Sequence, residues 1–103
     1  MPLRHYLQPL LAPTSVALVG ATEREGALGR IVYRNLAAGG LRGALYAVNP
    51  KHAAVFDRRS YARLADLPQP PDLAVIATPA RTVPGLIAEA GAAGIKAAVV
   101  LST

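Results

Sequence analysis

The 103-residue chain has no cysteine, no tryptophan, one phenylalanine and one methionine. Without cysteine there is no disulfide framework, no thiolate nucleophile and no cysteine metal site. A single phenylalanine leaves no aromatic platform on which nucleobases stack. Imidazole is confined to His5 and His52. Neither has metal-ligand spacing or an acid–base partner nearby, so no metal ligand and no catalytic residue is assigned. No Ser-His-Asp set and no carboxylate pair is present; Asp57, Asp66 and Asp72 read as turn and solvent residues. Acid is scarce, with six Asp and Glu against eleven Lys and Arg and a formal net charge of +5. That balance favours an anionic partner. The only adjacent basic pair is Arg58-Arg59, so no basic run forms and nucleic acid is not expected. No apolar run approaches the roughly 20 residues of a membrane span. The N-terminal stretch, with Arg4, Gln8, Pro9 and Pro13, makes no signal-peptide core. The expectation is a cytoplasmic protein that does not bind membranes.

What is present is apolar and regular. Hydrophobic residues make up 52% of the chain, enough to offset chain entropy in one domain over residues 1–103. The chain is organised around residues 16–30. The run Val16-Ala17-Leu18-Val19 stops at Gly20, a small polar loop follows, and a helical pattern begins near the next glycines. A strand, a loop and a helix N-terminus in that order gather free N–H groups and the positive end of a helix dipole.

A short helix over 3–11 is expected on the outside, with Leu7, Leu10 and Leu11 at helical spacing. The strand over 16–19 lacks polar alternation, as a central parallel strand does. The spacing predicts a helix over 27–38 with Leu28, Ile31, Val32 and Leu36 on its buried face, stopped by Gly39-Gly40. A turn at Leu41-Arg42-Gly43 leads to a second strand over 44–48, ended by Asn49-Pro50-Lys51. Residues 52–71 carry a short edge strand near Arg59-Ser60-Tyr61 and one helical turn over 62–66. A further strand over 73–77 ends at Thr78-Pro79. Thr82 is the expected cap of a second helix that tolerates Pro84 in its first turn, buries Val83, Leu86, Ile87 and Ala90, and stops at Gly94. The last strand covers 97–101. The sum is an α/β, Rossmann-like open parallel sheet of strand order 3-2-1-4-5 with helices on both faces. Its crevice lies at the carboxyl ends of the first and fourth strands. Residues 20–29, 49–51 and 78–81 meet there.

The glycine loop differs from the dinucleotide fingerprint, which needs glycine where Thr22 stands. Its glycines are Gly20, Gly26 and Gly29, with Thr22, Glu23, Arg24 and Glu25 between them. Thr22 can offer a hydroxyl and Arg24 a bidentate contact to a phosphate. The second strand ends without the acid that holds the ribose of NAD. Lys51 stands there instead and suits a ribose phosphate. Thr78-Pro79-Ala80 offers a flat floor beside an adenine, and Arg81 reads as solvated. On these residues alone the open readings are a phosphate-bearing nucleotide-type ligand, with an NADP or NAD domain among them, and a regulatory or interaction domain that binds none.

In order along the chain, residues 10–22, Gly26-x-x-Gly29, Tyr46-Ala47-Val48-Asn49-Pro50-Lys51, Ala65-Asp66-Leu67-Pro68, residues 72–80 and residues 94–102 follow one pattern. It resembles the CoA-binding domain of NDP-forming acyl-CoA synthetases and of some bacterial protein lysine acetyltransferases. More distantly it is similar to the succinyl-CoA synthetase α subunit. The resemblance implies coenzyme A over the carboxyl edge of the sheet. Residues 22–25 would then lie at its phosphates and Lys51 at its phosphorylated ribose, with Thr78-Pro79-Ala80 and Leu101-Ser102-Thr103 along the rest. The cofactor-binding set it implies is Gly20, Ala21, Thr22, Arg24, Gly26, Gly29, Asn49, Pro50, Lys51, Thr78, Pro79, Ala80 and Ser102. Glu25 departs from the pattern, and two acids in a phosphate loop oppose an anion. In this family the chain continues past the last strand and the phosphorylated histidine lies in a later domain. The sequence is therefore expected to be either a fragment, incomplete at its C-terminus and with an acid–thiol ligase as its parent, or a stand-alone remnant, and to bind without catalysing. The open edge of the last strand would take a second copy or a further domain.

Overall fold

A computed structural model describes residues 15–39 and 43–101. The expected helix over 3–11, the Gly40-Leu41-Arg42 part of the turn, and Ser102-Thr103 lie outside the described residues. The order of elements is β1 (Val16–Val19), α1 (Leu28–Ala38), β2 (Leu45–Val48), β3 (Ala54–Val55), β4 (Arg58–Tyr61), a 3₁₀ turn (Leu64–Asp66), β5 (Leu73–Ile76), a 3₁₀ turn (Ala80–Thr82), α2 (Val83–Ala92) and β6 (Ala97–Val100).

The six strands lie in the order β3-β4-β2-β1-β5-β6. All neighbours are parallel except β3 and β4. The expected order 3-2-1-4-5 needs one correction, an added strand outside the predicted edge. Ala54 and Val55 pair antiparallel with Arg59 and Arg58. The turn between them, Phe56-Asp57, holds φ of 49° and 62°. Positive φ at both central residues marks the hairpin turn usually written Asn-Gly. Neither residue type occurs here, which is why the sequence hides the hairpin.

β1 is the axis. Val16 to Val19 pair in step with Leu45 to Val48 on one side and Leu73 to Ile76 on the other. All four of its side chains are buried, as are the four of β5. Side chains alternate across a strand, so β1 feeds two cores. Val16 and Leu18 pack with Val32, Tyr33 and Leu36 of α1. Ala17 and Val19 pack with Ala90 of α2, Ile95 and Leu64. Helices thus cover both faces. Each fully buried Leu, Ile or Val contributes about 1.5–3 kcal/mol relative to exposure, and the largest such side chains are Leu18, Ile76, Val16, Val32, Val48, Val55 and Val75.

Each helix face departs from expectation at one residue. In α1 the buried residues are Gly29, Val32, Tyr33 and Leu36, while Ile31 is 51% exposed. Apolar residues at both 28 and 31 suggested that stripe, but Tyr33 takes the place because Phe56 stacks on it, centroids 5.1 Å apart. In α2 Ala90 is buried and Ile87 is 43% exposed. Thr82 makes no capping bond to α2. Its backbone is already helical, and its hydroxyl instead donates to the Pro79 carbonyl at 2.6 Å.

At the amino ends of the strands, Asp72 is more than a solvent residue. Its carboxylate accepts from the Ser15 N–H at 3.1 Å, and its own N–H donates to Ser15 Oγ at 3.1 Å. This reciprocal pair joins the starts of β1 and β5. Among the described residues β6 pairs with β5 alone, and Val100 is 42% exposed on that outer strand.

Candidate functional site

Because β1, β2 and β5 run parallel and in register, the segments after Val19, Val48 and Ile76 emerge at one end of the sheet. Three contacts bind these segments into one surface. Gly20 donates to the Val48 carbonyl at 2.9 Å. The Asn49 side-chain amide donates to the Ala21 carbonyl at 3.0 Å. The Ala77 N–H continues the ladder to Val19 O at 2.9 Å.

The glycines are set by geometry. Gly20 holds φ of 96°, and a Cβ there would come within 2.6 Å of the Ala77 carbonyl oxygen and 3.0 Å of Thr78 Cγ2. Gly29 sits one residue inside α1, and a Cβ on it would fall 2.9 Å from the Gly20 carbonyl carbon and closer still to its oxygen. The helix can reach the end of β1 only because residue 29 has no side chain. Gly26 has φ of 79° with nothing near its missing Cβ, so it serves the turn and not the packing.

The start of α1 has no side-chain cap; Ala27 stands at that position in extended conformation. The first inward bonds are Arg30 and Ile31 N–H to the Ala27 carbonyl, at 3.1 and 3.3 Å. Among the described residues nothing accepts from the N–H groups of Leu28 and Gly29. These donors and the helix dipole form a place for negative charge. Thr22 Oγ1 accepts the Arg24 N–H at 3.2 Å, which leaves its own proton to give away. Arg24 is exposed.

On the facing segment Asn49 is a cross-brace. Its amide nitrogen holds Ala21, and its Oδ1 accepts the Lys51 N–H at 2.8 Å. Its N–H donates to Tyr61 O at 2.8 Å. Both ends of the side chain are engaged, so Asn49 shapes the site through Ala21 and Lys51. Pro50, Lys51 and His52 are exposed. On the third segment Thr78 Oγ1 lies 2.6 Å from Thr82 Oγ1. Since Thr82 gives its proton to Pro79 O, Thr78 is the donor of that pair, and its oxygen can only accept from anything bound. Pro79 and Ala80 are exposed. Ser102 lies outside the described residues.

Sequence reasoning missed two contributors. Glu23, read as an acid facing an anion, points its carboxylate to the Phe56 N–H at 3.0 Å. Arg30 donates through Nη1 to the Glu23 carbonyl at 2.7 Å. Only the hairpin, itself unmarked in sequence, reveals them. Among the described residues no group of three or more His, Cys, Asp or Glu is placed to hold a metal ion, and no helix is long and apolar enough to cross a membrane.

Residues 14–103 match a family described as a CoA binding domain. The chain is 38% identical over 97 residues to acetate–CoA ligase (ADP-forming) II of Archaeoglobus fulgidus, which covers 94% of this chain and 14% of the ligase. It is 31% identical over 94 residues to 4-hydroxybutyrate–CoA ligase (ADP-forming) of Nitrosopumilus maritimus, covering 91% of this chain and 13% of that protein. Among solved structures, the dinucleotide forming acetyl-coenzyme A synthetase 1 of Ca. Korarchaeum cryptofilum, in complex with phosphate and ADP, superposes with a TM-score of 0.84 at 35% identity. That match covers 94% of this chain and 21% of that one. The chain spans a small part of each of these enzymes. With a family match across nearly its whole length and the glycine loop, brace and sheet order already described, this chain belongs to the CoA binding domain family.

Proposed function

We propose that this chain holds coenzyme A across the carboxyl ends of β1, β2 and β5. The observation that carries the reading is the joining of two anion-suited groups by one side chain. Asn49 ties the backbone of the glycine loop at Ala21 to the backbone of Lys51. The open N–H groups at the start of α1, the Thr22 hydroxyl and the Arg24 guanidinium suit the pyrophosphate. The Lys51 ammonium suits the ribose phosphate. Thr78, Pro79 and Ala80 suit the adenosine, and Ser102 the remainder. NADP and NAD have no support: Thr22 occupies the fingerprint's middle glycine position, and for NAD the acid that holds the ribose is also absent, with Asn49 following β2.

In this reading the chain is a binding module of a cytoplasmic NDP-forming acyl-CoA ligase or of a CoA-dependent acetyltransferase. It presents the coenzyme's thiol to an acyl group activated elsewhere, and by itself it binds without catalysing. The open edge of β6 is where a second copy or another domain of such an assembly would add.

Thermal shift and calorimetry test the reading. Ligand at 100 times its Kd stabilises a protein by about 2.7 kcal/mol, which for a domain of this size raises Tm by more than about ten degrees. The expected order is coenzyme A first, then dephospho-CoA, then NADP and NAD. Lys51→Ala should weaken coenzyme A by about fivefold, as an exposed charge contact does, and leave dephospho-CoA within about twofold. Equal loss for both ligands would remove the ribose-phosphate role from Lys51. No shift with coenzyme A would remove the function.

A further inference from the structure

Glu23 sits in the middle of a loop proposed to receive phosphates, where its charge is out of place. The surrounding structure gives that charge a different partner. Glu23 Oε2 accepts the Phe56 N–H at 3.0 Å, across 33 residues of sequence. Arg30, in the first turn of α1, donates from Nη1 to the Glu23 carbonyl at 2.7 Å, and its guanidinium carbon stands 5.7 Å from the Phe56 ring centroid. Phe56 in turn stacks on Tyr33, with planes 20° apart. The Tyr33 hydroxyl accepts from Arg58 Nε at 2.9 Å, and Arg58 Nη1 reaches the Leu45 carbonyl at 3.2 Å. The tip of the hairpin is therefore anchored to α1 and β2, and the loop is anchored to the tip.

We infer that Glu23 is a positioning residue that latches the glycine loop to the Phe56-Asp57 turn. The latch holds the loop N–H groups in their binding arrangement before the ligand arrives, and it directs the carboxylate to a protein amide and away from the phosphates. The inference rests on the proposal that this loop receives the phosphates of coenzyme A. Two physical points favour it. A short loop held at both ends loses little further freedom on binding, so less of the interaction is offset by ordering. A carboxylate that accepts from a backbone N–H is a strong acceptor, and Phe56 with φ of 49° adopts a conformation that bulky residues rarely hold without such support.

The test uses the full chain with two substitutions, E23A and E23Q, and two measurements. The first is amide hydrogen exchange without ligand, read at Phe56 and at residues 22–26. The second is the Kd for coenzyme A by calorimetry. E23A should speed exchange at these amides and weaken coenzyme A by about tenfold, about 1.4 kcal/mol. E23Q keeps an oxygen in the same place and should recover most of both losses. If both substitutions tighten coenzyme A, the charge repels the ligand and the latch is refuted. Unchanged exchange in E23A, or faster exchange with unchanged affinity, refutes it as well. Should the unsubstituted chain bind no coenzyme A, the proposed function fails, while the exchange measurement still decides whether Glu23 holds the loop.

Discussion

Gly29→Ala is the sharpest test of how the site is built. A methyl group at residue 29 would lie 2.9 Å from the Gly20 carbonyl carbon, with the oxygen nearer still. Carbon atoms settle at about 3.5–4.0 Å, so the start of α1 must retreat from β1 by on the order of 1 Å. Neither partner is a flexible side chain. The contact is backbone, and Gly20 is itself held by its bond to Val48 O. Overpacking of this kind costs about 1–3 kcal/mol. Alanine's better helix propensity returns at most about 1 kcal/mol, so the observed loss should be up to about 2 kcal/mol. For a domain of this length, that lowers Tm by up to about 16 °C. Gly85→Ala is the control. It lies in α2 with nothing within 4 Å of its Cβ position, and the same exchange should raise stability by about 0.5–1 kcal/mol. Thermal unfolding followed by circular dichroism separates the two. If Gly29→Ala melts at or above the unsubstituted chain, the close approach of helix and strand is not what the geometry says.

Other substitutions check separate parts of the account. Asp57→Gly should raise Tm by a few degrees, because Asp57 holds φ of 62° in a two-residue hairpin and glycine removes a penalty of about 1 kcal/mol there; an unchanged or lower Tm would argue against that turn. Leu36→Ala should cost about 2–5 kcal/mol, since Leu36 is buried on α1. Ile31→Ala should cost less than about 1 kcal/mol, since half of its surface faces water. A reversal of that order would put Ile31 inside, as the sequence suggests, and refute the observed packing of α1.

The parts legible in sequence are those where one residue pattern has one structural meaning. Unalternating apolar runs such as Val16-Ala17-Leu18-Val19 and Leu73-Ala74-Val75-Ile76 mark strands buried on both faces, and they placed the crevice at their carboxyl ends. The glycine loop was legible because Gly20 and Gly29 are required by backbone approach. What stayed hidden depends on contacts across distance. Ile31 and Tyr33 compete for the inward side of α1, and the choice is made by Phe56, a residue of a hairpin without turn residues of the usual kind. Thr82 has the chemistry of a cap, but the Pro79 carbonyl claims its hydroxyl first. Asn49 reads as a site residue by position, but its bonds to Ala21 and Lys51 have no mark in the sequence. The partner of Glu23 lies 33 residues away, beyond any local rule.

The pairing of β1 on both sides has a consequence for how the chain is made. A ribosome produces Val16–Val19 before either of its neighbours, and Leu45–Val48 is the first to follow. Its second neighbour, Leu73–Ile76, comes 57 residues after it in the chain. At about 5–20 residues per second, the central strand waits several seconds with one flank unpaired. Distant pairing of this sort also slows folding once the chain is complete. During that interval a wholly apolar strand, buried on both faces in the folded chain, is open to wrong partners.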